Sequence, residues 1–179
     1  MAFKRRVINL QFSKNDKTLT LNGLRCSAVI SNYGGLDGCA RLQLKAYGMT
    51  LAQMNEYSSV GTALVQLGDV SLSVMAGAED GPMAQIFQGF LIASYIETAG
   101  APEIAFTAAA QSGYNIKGLP AASNSFKGAK NAEDIIQSLA QSAGLNFVNK
   151  GGAHGVVQNQ NLSGSILDQI QKVAKAAVS

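Results

Sequence analysis

One histidine, His154, stands in a chain of 179 residues, inside Gly151-Gly152-Ala153-His154-Gly155. An imidazole among glycines could act as a general base or line a phosphate-gripping loop. No serine–histidine–carboxylate or cysteine–histidine arrangement is discernible around it, however. The glycine spacing matches neither the dinucleotide fingerprint nor the phosphate loop. A solvated loop histidine is the simpler reading. The carboxylates Asp16, Asp37, Asp69, Glu79 and Asp80 fall in predicted turns, and Glu133 and Asp134 in the first turn of a predicted helix. Glycoside cleavage needs two carboxylates facing across a cleft, but turn and capping roles account for each of these. Tyr33, Tyr47, Tyr57, Tyr95 and Tyr114 could stack on bases or sugars; they are dispersed and not interleaved with arginine or lysine. Gly89 invites a substrate contact, and a kink in a strand explains it more simply. No catalytic, cofactor-binding or metal-binding residue is assigned, no cofactor is expected, and the chain is not read as an enzyme.

Cys26 and Cys39 flank a predicted hairpin whose turn is Tyr33-Gly34-Gly35-Leu36-Asp37-Gly38. Matching the apolar faces sets Cys26-Ala28-Ile30 beside Leu42-Leu44-Ala46, with Cys26 opposite Ala46 and Cys39 opposite Tyr33. The thiols are then about seven strand residues apart, roughly 23 Å at about 3.3 Å per residue. A disulfide needs Cα atoms within about 7 Å, so two free thiols are predicted, as in a reducing cytosol.

The elements that position these residues change character along the chain. Ile8, Leu10 and Phe12 alternate with Asn9 and Gln11, and Thr18–Leu21 resumes the pattern after a turn at 13–17. The hairpin of 24–33 and 39–47 follows. Leu51 and Met54 fall at helical spacing, so residues 49–57 hold a short helix capped by Thr50. Strands resume at Val70, Leu72 and Val74. After the turn Ala78-Glu79-Asp80-Gly81-Pro82, a long strand runs from Gln85 to Thr98, apolar on both faces at Phe87, Phe90, Leu91 and Ile92. Ile104, Phe106, Ala108 and Ala110 form the last strand. A sheet this apolar must close into a barrel or sandwich to protect its edges.

Beyond Ser112 the period becomes helical. Residues 113–130 read as an extended connector. Asn131 caps a helix with the stripe Ile135, Ile136, Leu139, Ala140 and Ala143, closed by Gly144. Leu145–Val148 is a short strand. A second helix starts near Ser163 or Ser165, with Ile166, Leu167, Ile170, Val173, Ala174 and Ala177 on one face. The expected fold is α+β: an antiparallel β-barrel with one short helix over residues 1–112, the connector, and a small α/β domain over 131–179.

Apolar residues make up 47%, which supports a core, but charged residues only 14% against roughly 25% in typical soluble domains. Such a lightly charged surface suits faces covered by neighbours, an assembly component. The net charge of +3 is too small to imply nucleic-acid binding. The only basic cluster is Lys4-Arg5-Arg6, and the alternating residues after it read as a strand and not as the apolar core of a signal peptide. No apolar run is long enough to span a membrane, and the chain is expected to fold inside the cell.

The order of these elements is similar to a pattern in bacteriophage tail hubs. Val70-Ser-Leu-Ser-Val-Met-Ala-Gly77, the acidic turn and Ile86-Phe87-Gln88-Gly89-Phe90-Leu91-Ile92 carry the likeness, with the helices at Asn131–Leu145 and Asn161–Ile170. The sequence resembles the baseplate hub, or late control protein D, family of contractile tails, related to the amino-terminal part of the type VI secretion spike protein. The resemblance implies a tail-tube-like barrel and no catalytic residues. It also implies a homotrimer, or a hexamer as the other closed ring, that joins the tail tube or a tube-initiator protein to the spike. DNA is only passing cargo through the channel. The implied setting is the virion baseplate, assembled in the host cytoplasm. Hubs of this family usually continue into a second barrel; here a separate chain, a reduced hub or a different copy number takes its place. Two rivals are a ring-forming domain of a secretion apparatus, which normally carries a signal peptide, and a tail-associated cell-wall-degrading enzyme.

Overall fold

The computed structural model describes residues 5–32, 39–59, 70–117, 121–149 and 154–178. The chain divides into two compact units, Met1–Tyr114 and Asn115–Ser179.

Among the described residues the first unit is built on one antiparallel sheet of seven strands: β1 (Arg6–Lys14), β2 (Lys17–Asn22), β3 (Cys26–Ser31), β4 (Arg41–Tyr47), β5 (Ser71–Ala78), β6 (Met83–Glu97) and β7 (Ala105–Gln111). Their spatial order is β2-β1-β5-β6-β7-β4-β3. Asn15 and Asp16 both have positive φ, 47° and 63°, which is the backbone that a two-residue hairpin loop between right-twisting strands demands. The hairpin of β3 and β4 has the expected register, with Cys26 opposite Ala46 and Ile30 opposite Leu42. Both thiols are free and half-buried; residues 33–38, including the turn and Tyr33, lie outside the described residues.

The expected closed barrel is corrected: no ladder joins the edge strands β2 and β3 among the described residues. The sheet protects its apolar face by folding over at β6 instead. Residues 83–90 of β6 pair with β5, and residues 90–97 pair with β7. On the β5 side Val74 faces Phe87 and Met75 faces Gln85, leaving Ile86 as an extra residue; on the β7 side Ile92 is extra in the same way. These two bulges flank Gly89, so the bend expected at that glycine is made by its neighbours. The bulge at Ile92 also switches the inward parity from Phe87 and Leu91 to Ser94.

The fold-over has a direct measure. Two strands, β5 and β6, separate β1 from β7, which would set them about 14 Å apart in a flat sheet. Phe12 of β1 and Phe106 of β7 nevertheless meet edge to face with ring centroids 5.8 Å apart. Phe12 also packs on Tyr57 at 5.1 Å. Around them Leu10, Leu42, Leu44, Leu72, Val74 and Met54 complete a core. Met54 and Tyr57 come from α1 (Leu51–Tyr57), whose capping box joins the Thr50 hydroxyl to Gln53 N–H and the Gln53 side chain back to Thr50 N–H. Leu51, expected inward, is 58% exposed.

The second unit contains α2 (Tyr114–Lys117) in part, β8 (Asn124–Asn131), α3 (Ala132–Ser142), β9 (Val156–Leu162) and α4 (Ile166–Val178). Two expectations are corrected here. The connector at 113–130 holds α2 and nearly all of β8, and Leu145–Val148 is not a strand. The partner of β8 is β9, paired antiparallel from Asn124–Leu162 to Asn131–Val156. A polar, glycine-containing sequence such as NSFKGAKN gives no apolar alternation to read, because its two half-buried positions are the polar Asn124 and Phe126, and of these Phe126 packs on the apolar cluster. A two-stranded sheet is marginal by itself. Ile135, Ile136 and Leu139 of α3 and Val173 of α4 cover it with Val157 and Leu162 in one cluster.

The helix ends are set locally. Asn131 occupies the N-cap of α3, but its side chain does not accept the backbone bond; Ala132 N–H donates to Gly155 C=O at 2.8 Å instead. Gly144, at φ +69°, ends α3 with Leu145 N–H donating to Ala140 C=O and Gly144 N–H to Gln141 C=O, a closure that needs the left-handed conformation. Ser165 and Asp168 cap α4 reciprocally. The apolar stripe of α4 is rotated from expectation: Ala174 is exposed, and Gln169 is fully buried beside Val173. That amide accepts from Asn124 Nδ2 at 2.9 Å and donates to Ala122 C=O at 3.0 Å and Gly164 C=O at 3.2 Å, which removes the usual penalty for burying it.

Candidate interaction surface

The residues singled out for chemistry are not brought together. His154 is exposed and lines a hollow of about 300 Å³ with Asn131, Glu133, Gly155 and Val156. Of the carboxylates considered, Glu133 alone shares it. Asp134 accepts from Asn131 Nδ2 at 3.4 Å, Glu79 pairs with Arg5 at 3.4 Å, and Asp16 sits in its turn; Asp37 and Asp69 lie outside the described residues. No group of three or more His, Cys, Asp or Glu that could hold a metal occurs among the described residues. No described helix is long and apolar enough to cross a membrane. Tyr57 is a core residue whose hydroxyl is pushed to a higher pKa by burial and, secondarily, by Glu56. At Gly89 the backbone is closely packed: a Cβ there would lie 2.7 Å from Gln111 C and O and from Phe87 Cζ. The neighbouring Gln111 is itself buried, with Nε2 unpartnered among the described residues.

A network unnoticed in the sequence crosses one part of the first unit. Lys45 Nζ lies 2.9 Å from the Glu97 carboxylate, to which the Thr107 hydroxyl donates at 3.2 Å. Arg25 donates to Glu103 at 2.6 Å, and its guanidinium sits 4.0 Å from the Tyr47 ring centroid, a cation–π distance. The Lys45 hydrogen bond holds the Glu97 carboxyl below the usual glutamate range, helped by Thr107, and Arg25 does the same to Glu103. Downward shifts mark ion pairs, whereas a general acid needs an upward one. Lys45 and Glu97 are neighbours only once β4, β7 and β6 are side by side, an order that sequence spacing does not carry.

Two grooves share the link between β2 and β3. One, of about 360 Å³, is lined by Arg5–Ile8 and Gly23–Cys26. The other, of about 520 Å³, lies on Gly23–Arg25, Tyr47–Met49 and Pro102–Ile104. The basic lead-in noted at Arg5-Arg6 thus becomes one wall of a groove whose opposite wall carries Arg25.

No family model matches the chain, and no curated protein does. Among solved structures, it is similar to a chain of the Francisella PdpA–VgrG complex in its lidded form. The two share 11% identity and superpose with a TM-score of 0.50 over 88% of this chain and 23% of that one. At that identity the likeness is one of fold: an α+β architecture, mainly antiparallel sheet. This chain spans about a quarter of the length of the chain it matches.

Proposed function

We propose that the protein is a structural component of a contractile-tail baseplate. In this reading it is a hub ring that joins the tail tube to the central spike, leaves a channel for DNA, and carries no catalytic activity. The observation that carries the reading is the fold shared, over most of this chain, with part of a complex that contains VgrG. It points the same way as the sequence resemblance to hub proteins related to the secretion spike. The low surface charge adds a physical reason, since faces with few charges cost less to desolvate when neighbours cover them. A closed homotrimer, or a hexamer, would satisfy such faces without running on into a filament.

Light scattering over a concentration series on the purified chain, with electron microscopy of the particles, tests this. Trimers or hexamers with a central opening support the hub ring; a strict monomer at every concentration defeats it. Phe87→Asp, which buries a charge in the folded-over sheet, abolishes tail assembly if the packing described here supports the ring. The neighbour's origin favours a second reading, a ring-forming part of a secretion spike complex. Deleting the gene separates the two: loss of intact tails supports the first, and loss of secretion with no tail phenotype the second.

A further inference from the structure

We propose that the groove between Arg6–Ile8 and Gly23–Cys26 is a docking slot for an acidic, extended segment of a partner protein, which adds to β1 as a short strand. The proposal rests on strand geometry and charge, not on the hub reading. β1 pairs with β5 along Arg6–Ser13, but its pairing with β2 begins only at Asn9. Glu79 N–H donates to Arg5 C=O. By the alternation of an antiparallel ladder, Arg5, Val7 and Asn9 therefore direct their backbone groups to β5, and Arg6 and Ile8 direct theirs to the open side. Across the groove, Tyr47 N–H donates to Arg25 C=O. The same alternation turns the N–H and C=O of Cys26 away from β4, toward the side where β3 pairs with no strand among the described residues. Two edges that no described strand pairs thus line one cavity of about 360 Å³. Unpaired strand edges of this kind are templates for an added strand.

Charge selects the occupant. Among the described residues Arg5, Arg6 and Arg25 line the groove and no carboxylate does. Arg6 forms no salt bridge among the described residues, while Arg5 and Arg25 each spend part of a five-donor guanidinium on an exposed glutamate. A strand with acidic side chains at alternate positions would satisfy the Arg6 and Ile8 backbone groups and, from the face that Arg6 shares, meet its guanidinium bidentately.

The test uses the full chain and a fluorophore-labelled probe peptide, acetyl-Glu-Val-Glu-Val-Glu-amide, with its lysine-for-glutamate counterpart as control. Fluorescence anisotropy follows binding, and amide exchange by NMR reads the N–H groups of Arg6 and Ile8. The acidic peptide is expected to bind saturably and slow exchange at both amides. Arg6→Ala should weaken it roughly tenfold and Arg6→Glu should abolish it, while Arg41→Ala on β4 leaves it unchanged. Equal binding of the lysine peptide, or binding without protection at Arg6 and Ile8, overturns the proposal. So does displacement of the peptide by an oligothymidine strand that leaves both amides open, since the site would then be a polyanion patch.

Discussion

Gly89→Ala is a substitution whose sign decides whether the fold-over at β6 is packed as described. Gly89 lies inside a strand and is not in the left-handed region, so alanine can adopt its backbone. Relief of glycine's excess chain entropy alone would stabilise the protein by about 0.5–1 kcal/mol. Against this, the added methyl would sit 2.7 Å from Gln111 C and O and from Phe87 Cζ. Two of these atoms are backbone at the rung where β6 hands over from β5 to β7, and the third belongs to a buried ring. Overpacking against parts that cannot swing aside costs about 1–3 kcal/mol. The balance is a net loss of up to about 2.5 kcal/mol, the larger effect being steric. Urea titration followed by tyrosine fluorescence supplies the number, as a lower midpoint at an unchanged slope. Amide exchange locates it: Ser112 N–H, which donates to Ala40 C=O just past the crowded rung, should lose protection while α3 does not. A stabilising Gly89→Ala would refute the close approach of β7 to β6, and with it the account of how the sheet covers its core.

Gln169→Ala should destabilise the second unit by about 2–4 kcal/mol, since the Asn124 amide and two carbonyls lose a buried partner; calorimetry of the variant checks this, with Gln169→Glu expected to be worse. Gly144→Ala meets no atom within 4 Å, so its cost is conformational alone, about 1–2 kcal/mol, visible as a lower melting temperature of α3. The Glu97 and Glu103 carboxyls titrate below the usual glutamate range when folded, so their ion pairs stabilise fully above that range and are lost as pH falls through and beneath it. Thermal melts from neutral to acid pH should therefore fall more steeply for the native chain than for Glu97→Gln/Glu103→Gln, and the two curves should converge at the acid end.

The parts of the fold legible beforehand are those in which a local pattern has one structural solution. Alternation at Ile8–Phe12 gave β1, the matched apolar faces gave the β3–β4 register to the residue, and Thr50 marked the start of α1. Misreadings arose where tertiary context overrides local pattern. β8 has no apolar alternation because Phe126 is the one residue of that strand packed on the apolar cluster. The bulge at Ile92 switches the inward parity within β6, and nothing in the sequence says that Phe12 reaches Phe106 across two intervening strands. The interaction surface was least legible of all. Lys45 and Glu97, or Arg6 and Arg25, gain meaning only when strands distant in sequence become neighbours, and that order is a property of the whole sheet.

The extra residues of β6 also bear on how this chain can change length. Removing one residue from the interior of a strand normally turns everything beyond it to the opposite face. Ile86 and Ile92 are different, because each is the unpaired member of a bulge, and its loss would restore regular pairing with every other side chain facing as before. A lineage could therefore shorten this strand at these two points without exposing its core. What it would forfeit is curvature: each shortened relative would hold a straighter β6 and a more widely open sheet. The positions of one-residue gaps are thus a record of how tightly a given version of the fold is rolled.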